Sequence, residues 1–139
     1  MTPEPDIRWQ QRLVNFSRAL SLLREAMANG PSALNQLEKE GVIQRFEYCF
    51  ELAWKTTKDF MEANGFVFAV VMPRQVIKDA YAAKVIEAGQ DWIAMLDHRN
   101  LLSHTYNPIV FEQAVDAIQQ RYLPAMERLH AFLQQEIVR

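Results

Sequence analysis

Apolar residues near the start of the chain recur at steps of three and four: Leu13, Phe16, Leu20, Leu23 and Met27. That period gathers them into one stripe along a helix of about six turns. The stripe ends at Asn29-Gly30-Pro31, a strong helix breaker. A second helix starts between Ser32 and Gly41. It carries Val42, Phe46, Cys49, Ala53 and Phe60 on one side, and Phe50, Trp54 and Met61 widen that face. Glu47, Glu51, Lys55 and Lys58 fall opposite and read as a solvated face, with Glu51 and Lys55 in the favourable acid-before-base order. Asn64-Gly65 reads as its C-terminal cap.

Phe66-Val67-Phe68-Ala69-Val70-Val71 is the only strand-like run. One strand without a partner makes no sheet, so the run is expected to be an extended, buried connector. Pro73 opens a short third helix with Val76, Ile77, Ala80 and Tyr81, and Gly89 separates it from a fourth with Trp92, Ile93, Met95, Leu96 and Leu102. Asn107-Pro108 is the best local start signal in the chain, since asparagine caps free N–H groups and proline in the first turn sacrifices no hydrogen bond. Phe111, Val115, Ile118, Tyr122, Ala125, Leu129 and Phe132 then keep the helical period to the end, with Pro124 expected to kink or split the helix. The pattern predicts an all-α, five-helix, up-and-down antiparallel bundle, with its last helix kinked near Pro124.

A chain of 139 residues, half of them apolar, buries one core and forms one domain over 1–139. The net charge of −2 gives no global basic surface, so any nucleic-acid contact must be local. One cysteine, Cys49, excludes an internal disulfide and reads as a small core hydrophobe. No Cys/His pair has zinc-ligand spacing. No metal or cofactor is therefore expected. The polar start Met1-Thr2-Pro3-Glu4-Pro5-Asp6 lacks a signal-peptide pattern, and no uncharged apolar stretch is long enough for a membrane span. A cytoplasmic protein is the expectation.

Chemistry concentrates between Asp97 and Asn107, where one helix ends and the next begins. Asn100 and His104 share a face if the helix persists, Arg99 and Ser103 form the adjacent row, and Arg99 meets His104 best if the last turn loosens. An imidazole titrating near neutrality can move a proton to or from a ribose 2′-hydroxyl or a leaving oxygen, and a guanidinium can stabilise charge developing on phosphate. Together they could cleave RNA without a metal.

The pattern Arg99-x4-His104-x-Tyr106, with Asn100 after the arginine, resembles the signature of the HEPN superfamily, specifically the HepT-like toxins. Ile43 to Tyr48, Phe50 to Lys55, Pro73-Arg74 and Arg99 to Asn107 are similar to its nucleotidyltransferase substrate-binding branch. The resemblance implies a homodimer and a separately encoded minimal nucleotidyltransferase as partner. It also implies a toxin of a toxin–antitoxin pair, a metal-independent endoribonuclease with Arg99 and His104 as catalytic residues, Asn100 beside them, and Tyr106 adenylylated by the partner to silence it. The alternative is a non-catalytic subunit that presents a nucleotide or other substrate to that transferase. The chain is not the transferase itself: Gly30, Gly41, Gly65 and Gly89 are followed by Pro, Val, Phe and Gln, not by the serine of a nucleotidyltransferase turn.

Trp54 and Trp92 read as core or dimer-interface residues, not base-stacking platforms. Lys55, Lys58, Arg74, Lys78 and Lys84 suit an RNA-holding edge and ordinary solvated charge equally well. His98 points about 100° from Arg99 and is expected at the surface, and His130 has no evident partner.

Overall fold

A computed structural model describes residues 5–138 of the chain, with side chains from 7 to 137. The chain start before residue 5 lies outside the described residues. The helices are α1 (Pro5–Ala26), α2 (Gln36–Ala63), α3 (Pro73–Ala82), α4 (Gly89–Leu102), α5 (Pro108–Ala117) and α6 (Leu123–Val138). A π-helical segment, Ile118–Tyr122, joins α5 to α6, so the two form one interrupted helix and the bundle is five-helical. No strand forms among the described residues.

Helix α2 is the centre of the assembly: α1, α3 and α5 pack on it, and α6 closes against α1. Its start is set by Asn35, whose side-chain oxygen accepts from Glu38 N–H at 2.8 Å while Glu38 accepts from Asn35 N–H at 2.9 Å. This reciprocal capping box satisfies two N–H groups that a helix start leaves free. Its end is set by Gly65 at φ 91°, a left-handed conformation that lets Gly65 and Phe66 N–H return to the Glu62 and Met61 carbonyls. Between these stops, Val42, Phe46, Cys49, Phe50, Ala53, Phe60 and Met61 are all buried, as their spacing predicts. Each large apolar side chain contributes roughly 1.5–3 kcal/mol when withdrawn from water. Thr56 and Thr57 join that face because their hydroxyls bond back to the Leu52 and Ala53 carbonyls.

The stripe of α1 is buried from Leu13 to Met27, and that of α5–α6 from Phe111 to Leu129. Asn107 caps α5 by accepting from Ile109 N–H at 2.9 Å. The interruption expected near Pro124 falls immediately before it. Proline offers no N–H to the carbonyl four residues earlier, and the helix widens so that Leu123 N–H reaches Ile118 O, five residues back. Gly89 is the first residue of α4, and the Tyr81 ring rests on it: a Cβ there would come within 2.9 Å of Tyr81 Cδ2. Tyr81 itself is exposed, unlike Val76, Ile77 and Ala80 of α3.

The connector between α2 and α3 differs from expectation. Val67, Val70, Val71 and Met72 are exposed, not buried. Only Phe68 of the run packs partly against the core, with the Phe66 ring 4.6 Å from it, while the bend at Ala69 and Val70 leaves the valines at the surface.

One buried charge lay hidden in the periodicity. Asp59 is only 2% exposed, on α2, with Arg12 of α1 at 2.8 Å and Lys58 at 3.2 Å. Removing one member of such a group strands the others, at a cost of about 3–5 kcal/mol when they stay buried. Arg12 is a third exposed and can turn to water. Asp59→Ala is therefore expected to lower stability by about 3 kcal/mol, read as a fall in the urea midpoint with unchanged slope.

Candidate functional site

The polar junction is built on the end of α4. The helix stops at Leu102, and Ser103-His104 form a turn in which His104 N–H reaches Leu101 O at 3.1 Å. Ser103 donates both its backbone N–H (3.2 Å) and its hydroxyl (2.9 Å) to Arg99 O, satisfying a carbonyl the ending helix would leave free. Residues 105–107 then cross to the Asn107 cap of α5. Asn100 and His104 consequently do not share a continuous helical face.

Arg99 is held on α2. One terminal nitrogen donates to Glu51 and the other donates to Asn100 Oδ1 at 3.1 Å, while the guanidinium lies 5.9 Å from the centre of the Phe50 ring. Glu51 is itself fixed by Trp54 Nε1 at 3.2 Å and by Lys55 at 3.6 Å. Arg99 and Asn100 are thus brought together. His104 is exposed, in the turn just past them, and its side chain makes no hydrogen bond or ion pair with the described residues.

Tyr106 is 80% exposed, leans edge-on against Phe111 at 5.4 Å, and donates its hydroxyl to Glu40 of α2. That hydrogen bond, followed by the carboxylate's charge, raises the phenol above its ordinary value. Glu47, one turn before Glu51, is half-buried. Burial pushes its carboxyl up, and the nearby charge of Arg99 pulls it back. Three acids of α2, at positions 40, 47 and 51, therefore lie along the junction.

Glu40, Glu47 and Glu51 were not legible as site residues. The face read as solvated faces the end of α4, and Glu51 is the group that anchors Arg99. The signal available was the Phe50–Lys55 stretch, which carries Glu51 in the resemblance. His98 also differs from expectation: it is half-buried, with Nδ1 2.6 Å from the hydroxyl of Tyr122 in the π segment. Burial lowers its pKa, with the Arg121 charge adding to the effect. His130 likewise has a partner, Ser17 Oγ at 2.6 Å, and burial lowers it too. Trp92 is buried in the core and Trp54 is partly covered. Lys55, Lys58 and Arg74 are engaged with Glu51, Asp59 and Glu62, and Asp97 respectively, so they do not form a free basic edge.

Together these features define a helical bundle that presents a polar Arg–Asn–His–Tyr junction on an acid-bearing helix. The chain belongs to the family described as nucleotidyltransferase substrate binding protein like, whose profile matches residues 11–135. No curated protein matches it in sequence. A solved protein from Thermus thermophilus is 30% identical, over 89% of this chain and 99% of its own, with a TM-score of 0.68. The toxin–antitoxin MntA–HpeT, solved as a tyrosine-to-alanine mutant, has the same fold at 12% identity, a TM-score of 0.68, and coverage of 91% of this chain and 98% of its own. Among the described residues no helix is long and apolar enough to cross a membrane.

Because burial lowers His98 and His130 in the folded state, the unfolded chain binds protons more readily. Their contribution to stability is complete above the ordinary value of 6.5 and is lost as pH falls from there through the lower folded values. Urea midpoints measured from pH 7.5 downwards are expected to fall across that window. The fall should be shallower in a His98→Asn, His130→Asn double variant.

Proposed function

We propose that the chain is a cytoplasmic HepT-like toxin that cleaves RNA at the Arg99–His104 junction without a metal, and that a partner nucleotidyltransferase silences it by adenylylating Tyr106. The observation that carries this reading is the pairing of an anchored guanidinium with an unpartnered, exposed imidazole at one helix end. His104 takes the proton of a ribose 2′-hydroxyl. The oxygen attacks the adjacent phosphorus and the bond to the 5′-oxygen breaks as the His104 imidazolium gives its proton to that leaving oxygen, so that a 2′,3′-cyclic phosphate and a 5′-hydroxyl result. Arg99 stabilises the added negative charge on phosphorus, and Asn100 orients the guanidinium.

Membership in the substrate-binding family supports a transferase partner. The exposure of Tyr106 supports its role as acceptor. Its oxygen attacks the α-phosphorus of ATP, pyrophosphate leaves, and Glu40, which already accepts the phenolic hydrogen bond, takes the proton. The catalytic centre in this reading is one chain's junction, and a homodimer would bring two such junctions together.

A second reading is favoured by the acids of α2, which oppose the approach of an RNA backbone. In it the chain binds a nucleotide or other substrate for the transferase, and cleaves nothing.

Purified chain incubated with RNA and EDTA is expected to yield cyclic-phosphate ends, and Arg99→Ala or His104→Ala to slow this about 10²–10⁴-fold. Nucleotide binding that needs Arg99, with intact RNA in every variant, would establish the second reading instead. Co-expression with the transferase is expected to add adenylyl masses to the intact protein. None should be added in Tyr106→Phe, and fewer in Glu40→Gln.

A further inference from the structure

Of the cations that could hold a phosphate, Lys78 and Lys84 make no ion pair or hydrogen bond through their side chains with the described residues, and neither does Arg128 of α6. All three stand around the turn from α3 to α4. Lys84 and Arg128 line a narrow hollow of about 60 Å³, backed by the buried side chains of Trp92 and Leu129. Beside it, sharing Glu87 and Ala88 with it, lies a groove of about 630 Å³ between α3 and α4. Its walls include Ile77, Ile93, Lys78 and the ring of Tyr81, which is 56% exposed. A largely apolar concavity with a few placed polar groups is the usual form of a small-molecule site.

The backbone sets two of these side chains. Lys84 has φ 63°, the left-handed conformation that ends α3 by returning Lys84 and Val85 N–H to the Tyr81 and Ala80 carbonyls at 3.1 and 2.9 Å. Glycine would end the helix there without a crowded Cβ, so the stop does not account for a lysine. Gly89 is the other case. A Cβ on it would meet the Tyr81 ring at 2.9 Å, so its bare backbone is what lets that ring lie over the first turn of α4 and line the groove.

We propose that the hollow and the groove form one site for a nucleoside 5′-phosphate, with the base against Tyr81, the ribose hydroxyls donating to Glu87 and the phosphate between Lys84 and Arg128. The order of the features selects this ligand: an aromatic ring in the groove, a carboxylate on the shared wall, and two cations at the hollow. Stacking on a tyrosine accepts any base. Glu87 has no partner among the described residues; it repels a phosphate placed against it but accepts from hydroxyls. The ammonium and guanidinium bind phosphate oxygens through charge-assisted hydrogen bonds. Inorganic phosphate would leave the groove empty. A strand of RNA would have to continue past the back of the hollow, which Trp92 and Leu129 close. The site opens at Gly89 and Arg99 lies ten residues further along α4, about 15 Å away, so it is separate from the junction and stands whatever the junction does.

The test is a titration of the full, nitrogen-15-labelled chain with AMP in the presence of EDTA, followed by amide NMR shifts, alongside adenosine, inorganic phosphate and a short single-stranded RNA. Expected are saturable shifts centred on residues 84–91, with AMP binding at least about tenfold tighter than adenosine or phosphate. Lys84→Gly is expected to weaken AMP binding by at least about tenfold while its urea midpoint holds or rises, because glycine relieves the left-handed backbone. Tyr81→Ala is expected to weaken it about tenfold through the lost stacking. An absence of shifts at about 10 mM AMP, enough to fill a millimolar site, overturns the proposal. So do equal affinities for AMP and phosphate, RNA that moves the same amides at lower concentration than AMP, or native affinity in both Lys84→Gly and Tyr81→Ala. AMP binding that is lost in Arg99→Ala and kept in Lys84→Gly overturns it too, and moves the nucleotide to the junction of the second reading.

Discussion

The bundle depends on covering α2. A helix of 28 residues is about 42 Å long, and its apolar surface is too wide for a single neighbour to bury. Phe46, Phe50, Ala53 and Phe60 need partners on more than one side, and α1, α3 and α5 arrive from different directions to meet them. The remaining packing follows from this. α6 can close on α1 only because α1 already lies along α2, and the Phe46 ring stacks on Tyr122 at 5.6 Å, tying the π segment to the same central helix.

The same constraint shapes the chemistry. Once the apolar side of α2 is covered, its polar side is not left wholly to solvent. Glu51 meets the guanidinium of Arg99, and Glu40 meets the phenol of Tyr106, so both ends of the junction rest on one rigid element. This gives side chains at a helix end and in a loop the fixed placement that loops alone rarely provide. It also surrounds an arginine with acids. The guanidinium of Arg99 is already neutralised by Glu51, so its charge is not free to the surroundings.

How much of this can be read from the chain alone differs by the range of the interaction. Helix faces depend on neighbours three and four residues apart, and most of the stripes of α1, α2 and α5–α6 were legible, although Trp9, Met126 and Leu133 are buried beyond them and Phe132 is only partly covered. Local boundaries were legible too, the start at Asn107-Pro108 and the stop at Asn64-Gly65. The junction's members were visible because Arg99, Asn100, His104 and Tyr106 are close in sequence. Their partners were not. Glu51 lies 48 residues from Arg99, and its proximity to Lys55 offered a sufficient local explanation. His98 was displaced from the surface by Tyr122, 24 residues away, through a π turn that no periodicity announces. The Phe66–Val71 run forms no strand, as expected, but only Phe68 of it packs on the core, because apolar composition indicates a preference for burial and not which side chains the neighbouring helices can receive.

The π segment at Ile118–Tyr122 has one more consequence. A helix that closes one hydrogen bond over five residues contains one residue more than a regular turn needs. The chain beyond it is therefore rotated by about 100° relative to an uninterrupted helix. Relatives built without the widened turn would align with this chain only through a one-residue gap in that region. In evolutionary terms, the segment is the place where this fold can gain or lose a single residue while the helices on either side keep their own buried faces.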